Sequence, residues 1–185
     1  WGWRFVDELC WAHQGLPGSW PYRFKNGWEP VFHFSTPGPV RFRAAHVSHP
    51  SAQVFHAGGA VSDTNKSGNV GWSGSAVEVE KGLARPSNVI QIGTGGGTLG
   101  NHSAAFPIGL PSFFIKAYSD PGDVIFDPFM GSGTTMIAAA NEKRVAMGCE
   151  ISPAYCDIIR QRWSQWCAKN GEDPGVDALP VGVPE

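Results

Sequence analysis

An α/β fold built on an open, doubly wound sheet is what this 185-residue sequence predicts, and three observations predict it. The first is the order of segments from Val124 to Glu150. An apolar run (Val124-Ile125-Phe126) precedes a glycine turn (Gly131-Ser132-Gly133), an alanine-rich stretch, a second apolar run (residues 144–149) and an acid. That succession reads as strand, turn, helix, strand, and the connection between two such parallel strands is right-handed. The second is that Val124-Ile125-Phe126 is apolar throughout rather than alternating, as in strands buried on both faces. The third is that 42% of residues are hydrophobic and 16% charged, enough apolar material for a core.

The other elements follow from local chemistry. Residues 3–14 and 28–35 are aromatic and β-branched runs separated by the turn-forming GLPGSWPYRFKNG, which predicts two strands and a long loop. Residues 37–86 hold Ser, Gly and Asn clusters with brief apolar runs such as Ala76-Val77-Glu78-Val79, a loop-rich insertion. SNVIQIG (87–93) is a short strand, followed by the glycine-rich TGGGTLG. Leu110, Phe113, Phe114 and Ile115 recur at helical spacing within 107–118, with Pro111 near the start. A helix over about 134–142 follows the glycine turn. Another opens at Ser152 as N-cap with Pro153 at its first position and runs to about Trp166. Cys156, Ile159, Trp163 and Trp166 share one face of it, which places both tryptophans in the core. Residues after Asn170 are rich in Gly, Pro and acids and are expected to fray.

Charge excludes little. Residues 1–86 carry eight Lys/Arg against six Asp/Glu, and residues 87–185 carry six against ten. A mildly basic first half with His46, His49 and His56 suits a phosphate-facing surface, although the scatter of an ordinary surface explains it as well. Cys10, Cys149, Cys156 and Cys167 form no C-x-x-C pair, and no His completes a metal set, so they read as reduced thiols and no metal is expected.

The glycine turn and Glu150 carry the functional signal. Glycines let the backbone approach a ligand, and an acid ending the second strand suits two vicinal ribose hydroxyls, so a nucleoside-containing cofactor is expected. A dinucleotide fingerprint requires a third glycine where Met136 stands, and no G-K-[ST] is present. Asp127, just before the turn, repels phosphate and attracts an ammonium. An acid for an ammonium, glycines, and an acid for a ribose together fit S-adenosylmethionine.

DPFMGSGTT (127–135) resembles motif I of the DNA adenine-N6 and cytosine-N4 methyltransferase family. NHSAAFP (101–107) with LPSFFIKAYSDPGD resembles the family's motif X, and GLPGSWPYRF…WEPVFHFS its motif VIII region. The resemblance implies an S-adenosylmethionine-dependent, Rossmann-like methyltransferase fold. Asp127, Phe129, Gly131, Ser132, Gly133 and Thr134 would surround the methionine half of the cofactor, Glu150 would hold its ribose, and His102, Ala105, Phe106 and Pro107 would close the other side. The order VIII, insertion, X, I matches the circularly permuted β group. It divides the chain into catalytic-half strands (1–36), a target-recognition region (37–86), a cofactor-binding part (87–168) and a flexible tail (169–185). The family's [DNS]-P-P-[YFW] motif is not present in residues 1–185, and Ser152-Pro153-Ala154-Tyr155 reads as a helix start. The expectation is an N-terminally incomplete chain that transfers no methyl group by itself.

The resemblance further implies a partner, double-stranded DNA, and a bacterial or phage-encoded cytoplasmic protein of restriction-modification systems. The target base would be flipped out of the duplex to expose its exocyclic amine, and the motif X match leans toward cytosine-N4. Arg23 and Lys25, interleaved with Trp20, Phe24 and Trp28, are candidate DNA contacts, as are Arg41 and Arg43 along a possible strand. Solvated surface cations are the plainer account of all four. A non-catalytic DNA-binding fragment, an RNA or protein methyltransferase, and a nicotinamide enzyme remain as alternatives.

Overall fold

The computed structural model describes residues 2–12, 21–22, 24–50, 62–64, 70–72, 83–93 and 106–175. Outside them fall Trp20, Arg23, His56, the Ala76-Val77-Glu78-Val79 run, TGGGTLG, His102, Ala105 and the end of the tail.

Strands β1 (Arg4–Ala12) and β2 (Trp28–Ser35) pair antiparallel, as their two apolar runs predict, with a register shift between Phe5 and Asp7. In the insertion, β3 (His49–Pro50) pairs with β6 (Leu83–Ala84), and β4 (Ser62–Thr64) with β5 (Val70–Trp72). The predicted strand in 87–93 is β7 (Val89–Gln91), which lies parallel to β1 and completes the order β2-β1-β7. Then come α1 (Gly109–Tyr118), β8 (Val124–Asp127), α2 (Thr134–Asn141), β9 (Val145–Gly148) and α3 (Pro153–Asn170). β8 and β9 are parallel, which confirms the β-α-β reading.

Helix α1 joins the β2-β1-β7 sheet to the β8-β9 pair. Its Leu110 is buried with Leu9, Trp11 and Ile90, against which Phe113 and Phe114 pack, and Trp11 Nε1 donates to the Ile92 carbonyl at 2.8 Å. One helical turn on, Ile115 is buried against Ala138 and Ala139 of α2, with Ile125 and Ala146 of β8 and β9 below them. Small alanines on α2 let it approach the sheet closely.

This packing corrects two expectations. Val124-Ile125-Phe126 is not covered on both faces: Ile125 packs toward the helices, while Val124 and Phe126 are 56% and 59% exposed. Val145 and Met147 of β9 lie open in the same way, so one apolar face of β8 and β9 lacks cover among the described residues. The tryptophans of α3 are not core residues either. Trp163 and Trp166 stack on each other, 5.1 Å apart and 8° from parallel, each about half-buried, and Cys167 is the helix's fully buried side chain. Their indole N–H groups explain the position, since they reach acceptors near the surface: the Pro174 carbonyl and Asn141 Oδ1.

The exposed Val124, Phe126, Val145 and Met147 have a measurable consequence. The 185-residue chain is expected to self-associate in a concentration-dependent way and to bind an apolar dye while folded. Sedimentation velocity showing a clean monomer, with a sharp reversible thermal transition, would contradict this. Among the described residues, no helix is long and apolar enough to cross a membrane.

Candidate cofactor site

The site begins where β8 ends. Asp127 Oδ1 accepts the Phe129 N–H at 2.9 Å, closing a turn on its own backbone, and Phe129 is left 87% exposed. The Met130 N–H donates to the Cys149 carbonyl and the Cys149 N–H to the Asp127 carbonyl, stitching this turn to the end of β9. Gly131 and Gly133 take φ of +55° and +81°, the left-handed region that favours glycine. Gly133 also caps α2, whose first turn receives no side-chain cap bond from a described residue.

A Cβ on Gly133 would meet the Ile159 side chain at 3.1 Å, so a side chain there would press on α3 and strain the backbone. Gly148 is the tighter position. A Cβ there would fall 2.0 Å from Met130 Cε and 2.7 Å from the Asp127 carbonyl oxygen. This glycine opens the Gly148-Cys149-Glu150 sequence at the end of β9, and its close contacts come from the neighbouring strand and turn.

Glu150 lies half-buried beside the turn. Its Oε2 accepts the Gly131 N–H at 2.7 Å and its Oε1 the Ser152 N–H at 2.8 Å. The carboxylate thus ties the glycine turn to the start of α3 and keeps further lone pairs on both oxygens. Ser152 occupies the N-cap position of α3 without the side-chain cap bond expected of it, its own N–H being held by Glu150, and Pro153 is first in the helix.

Ser132 and Thr134 are buried, with their hydroxyls turned toward Arg162 of α3 rather than toward the open side of the turn. No sequence reading singled out Arg162. The signal was a cation one turn beyond Ile159 on the packed side of a helix. Burial holds its pKa below the ordinary arginine value. Of the predicted far wall, Phe106 is 39% exposed just ahead of α1, while His102 and Ala105 lie outside the described residues.

The candidate DNA contacts separate. Lys25 is exposed beside Phe24, which is 96% exposed, and Trp28 is half exposed. Arg41 and Arg43 lie not on a strand but in the irregular segment before a short 3-10 helix, Ala44–Val47. Arg43 binds Asp120 through Nε at 3.0 Å and Nη2 at 2.7 Å, and Arg41 meets Asp123 at 2.7 Å. The Arg43 guanidinium holds the Asp120 carboxyl below the usual carboxylate range. Both arginines pin the insertion to the turn between α1 and β8, a link spanning some eighty residues that no local pattern shows.

A hollow of about 550 Å³ lies elsewhere, between α2, β9 and α3, lined by Met136, Ala140, Val145, Ile159 and Trp163. It lies toward the start of β9, away from Glu150, and its Ile159 and Met136 side chains also stand against Gly133 of the turn. Among the described residues no cluster of three His, Cys, Asp or Glu could hold a metal.

The DNA methylase profile, which covers N6 and N4 methyltransferases, matches residues 1–161. The chain belongs to the DNA methylase family. Its relatives include the orphan methyltransferase M.BamHII of Bacillus amyloliquefaciens, 51% identical over 61 residues, which are 33% of this chain and 23% of that protein. The type II methyltransferase M.PvuII of Proteus hauseri is 34% identical over 93 residues, 44% of this chain and 28% of that one. Among solved structures, the PvuII DNA methyltransferase, described as cytosine-N4-specific, superposes with a TM-score of 0.55 at 23% identity, over 85% of this chain and 51% of that chain. The complex of M1.HpyAVI with S-adenosylmethionine gives 0.54 at 20%, over 87% and 62%. The likeness to these structures establishes the mixed α/β fold. The matched segments span between 8% and 28% of the length of the curated relatives.

Proposed function

We propose that this chain carries the S-adenosylmethionine site of a DNA methyltransferase that modifies the exocyclic amine of cytosine (N4) or adenine (N6). The observation that carries the proposal is the braced DPFMGSGTT turn at the carboxyl end of β8, in a chain of the DNA methylase family. The residues fit the cofactor chemically. Asp127 has one oxygen engaged by Phe129, and its second makes no hydrogen bond to a described residue, which suits an ammonium. Phe129 offers an exposed aromatic wall, the uncapped start of α2 offers N–H groups, and Glu150 retains acceptor capacity for a ribose.

Bound there, S-adenosylmethionine supplies an electrophilic methyl group on a sulfonium. The chain's own residues bind and orient it: Asp127 at the amino group, Gly131 to Thr134 along the methionine half, Glu150 at the ribose, and His102, Ala105 and Phe106 on the opposite side. Positioning a flipped base against that methyl is the main catalytic device of such a reaction. Residues 37–86 form the target-recognition region of a permuted β-group arrangement. Arg23 and Lys25 meet the DNA, whereas Arg41 and Arg43 are committed to Asp120 and Asp123.

A second reading concerns transfer. Residues 1–185 contain no [DNS]-P-P-[YFW] to accept hydrogen bonds from the target amine. Binding without positioning the nucleophile gives no turnover, since only interactions realised in the transition state accelerate transfer. This chain is therefore expected to bind S-adenosylmethionine, to ignore NAD, and to incorporate no tritiated methyl into unmethylated DNA. Calorimetry with both cofactors, beside the incorporation assay, tests each part. Binding of NAD alone would discard the methyltransferase reading. Incorporation that survives Ser152→Ala and Tyr155→Phe would show an unrecognised catalytic group.

A further inference from the structure

We infer that Arg162 is a positioning residue for the methionine half of the cofactor, holding the glycine turn in its binding conformation together with Glu150. This rests on the S-adenosylmethionine reading of the turn. Arg162 Nη1 lies 2.6 Å from the Ser132 carbonyl oxygen, 3.1 Å from Ser132 Oγ and 3.3 Å from Thr134 Oγ1. One nitrogen with two hydrogens serves three acceptors, so the contact is a shared fork across the turn rather than a single bond.

The Ser132–Gly133 peptide is held at both ends. Its carbonyl faces Arg162, and its N–H donates to the Met130 carbonyl at 2.9 Å. One residue earlier, the Gly131 N–H is held by Glu150. Two glycines with positive φ have wide freedom in the absence of such restraints, and fixing that freedom is costly. A turn already fixed binds its ligand without meeting that cost at the moment of binding.

The chemistry of Arg162's partners separates it from an ordinary surface arginine. They are a carbonyl and two hydroxyls, none of them charged, and Ser132 and Thr134 are buried. Partial desolvation of the guanidinium lowers its pKa, so the position carries a penalty that its contacts with the turn offset. The neighbouring Arg160, by contrast, pairs with Asp157 two and a half ångströms away at the surface.

The test compares two ligands that share the nucleoside and differ in the amino-acid half: S-adenosylhomocysteine and 5′-methylthioadenosine. Calorimetry on the 185-residue chain is expected to show Arg162→Ala weakening S-adenosylhomocysteine roughly tenfold or more, with 5′-methylthioadenosine nearly unchanged. Arg162→Lys, which keeps the charge but loses the planar fork, is expected to recover part of the loss. It also gives the answer if the alanine variant does not fold. Equal losses for both ligands would show a general structural role and overturn the inference, as would unchanged S-adenosylhomocysteine affinity in both variants. A wild-type chain that binds neither ligand would instead remove the cofactor reading itself.

Discussion

Gly148→Ala is expected to destabilise the protein by about 1–3 kcal/mol and to weaken S-adenosylmethionine binding with it. The new methyl group would stand 2.0 Å from Met130 Cε and 2.7 Å from the Asp127 carbonyl oxygen. The methionine can swing away, but the carbonyl cannot, because it accepts the Cys149 N–H at 3.0 Å and belongs to the last pair of the β8–β9 ladder. Relief therefore requires the ends of both strands to part. Asp127 begins the cofactor turn, so the strain is delivered to the site. Gly93→Ala, where a Cβ meets nothing within 4 Å, is the control and should change stability by less than about 0.5 kcal/mol. Denaturant titrations giving the same midpoint for Gly148→Ala and the wild type would show that the strands are looser there than the geometry implies.

Gly148 also marks where sequence reading stops. The β-α-β unit was legible because its parts are local: an apolar triplet, two glycines that need positive φ, an alanine helix and a closing acid. Strands β1 and β2 and helix α1 were legible for the same reason. Period-two patterning shows that alternate residues of a strand face opposite ways, but not which face is covered. That depends on α1 and α2 sitting over Ile125 and Ala146, and the expectation for Val124 and Phe126 failed on it. The ion pairs of Arg41 and Arg43 were not legible for a related reason, since their partners Asp120 and Asp123 are distant in sequence, and the strand expected there is an irregular segment. Arg162 sits within a helix whose stripe looked merely apolar, and only the fold brings it against Ser132 and Thr134. Glu150 stood out by its place after the strand, yet its two backbone partners were not foreseeable from that place.

Those partners set the expected result for Glu150→Ala: weaker cofactor binding by roughly 1–3 kcal/mol, together with a loss of stability. Had the carboxylate served only a ribose, its removal would lower affinity and leave the unfolding midpoint unchanged. Instead it accepts the Gly131 N–H at 2.7 Å and the Ser152 N–H at 2.8 Å, and truncation leaves both donors without a partner. The glycine turn and the first turn of α3 should then loosen together. Glu150→Gln separates the roles. Its amide has a single acceptor oxygen, so one of the two backbone donors must face an NH2 group, and the brace is half lost although the shape is kept. The glutamine variant is accordingly expected to fall between wild type and alanine in thermal midpoint and in S-adenosylmethionine affinity. A glutamine variant as stable as the wild type would show that one backbone bond suffices to hold the turn. Unchanged affinity in the alanine variant would remove Glu150 from the cofactor site, and with it the main support for placing the ribose at the end of β9.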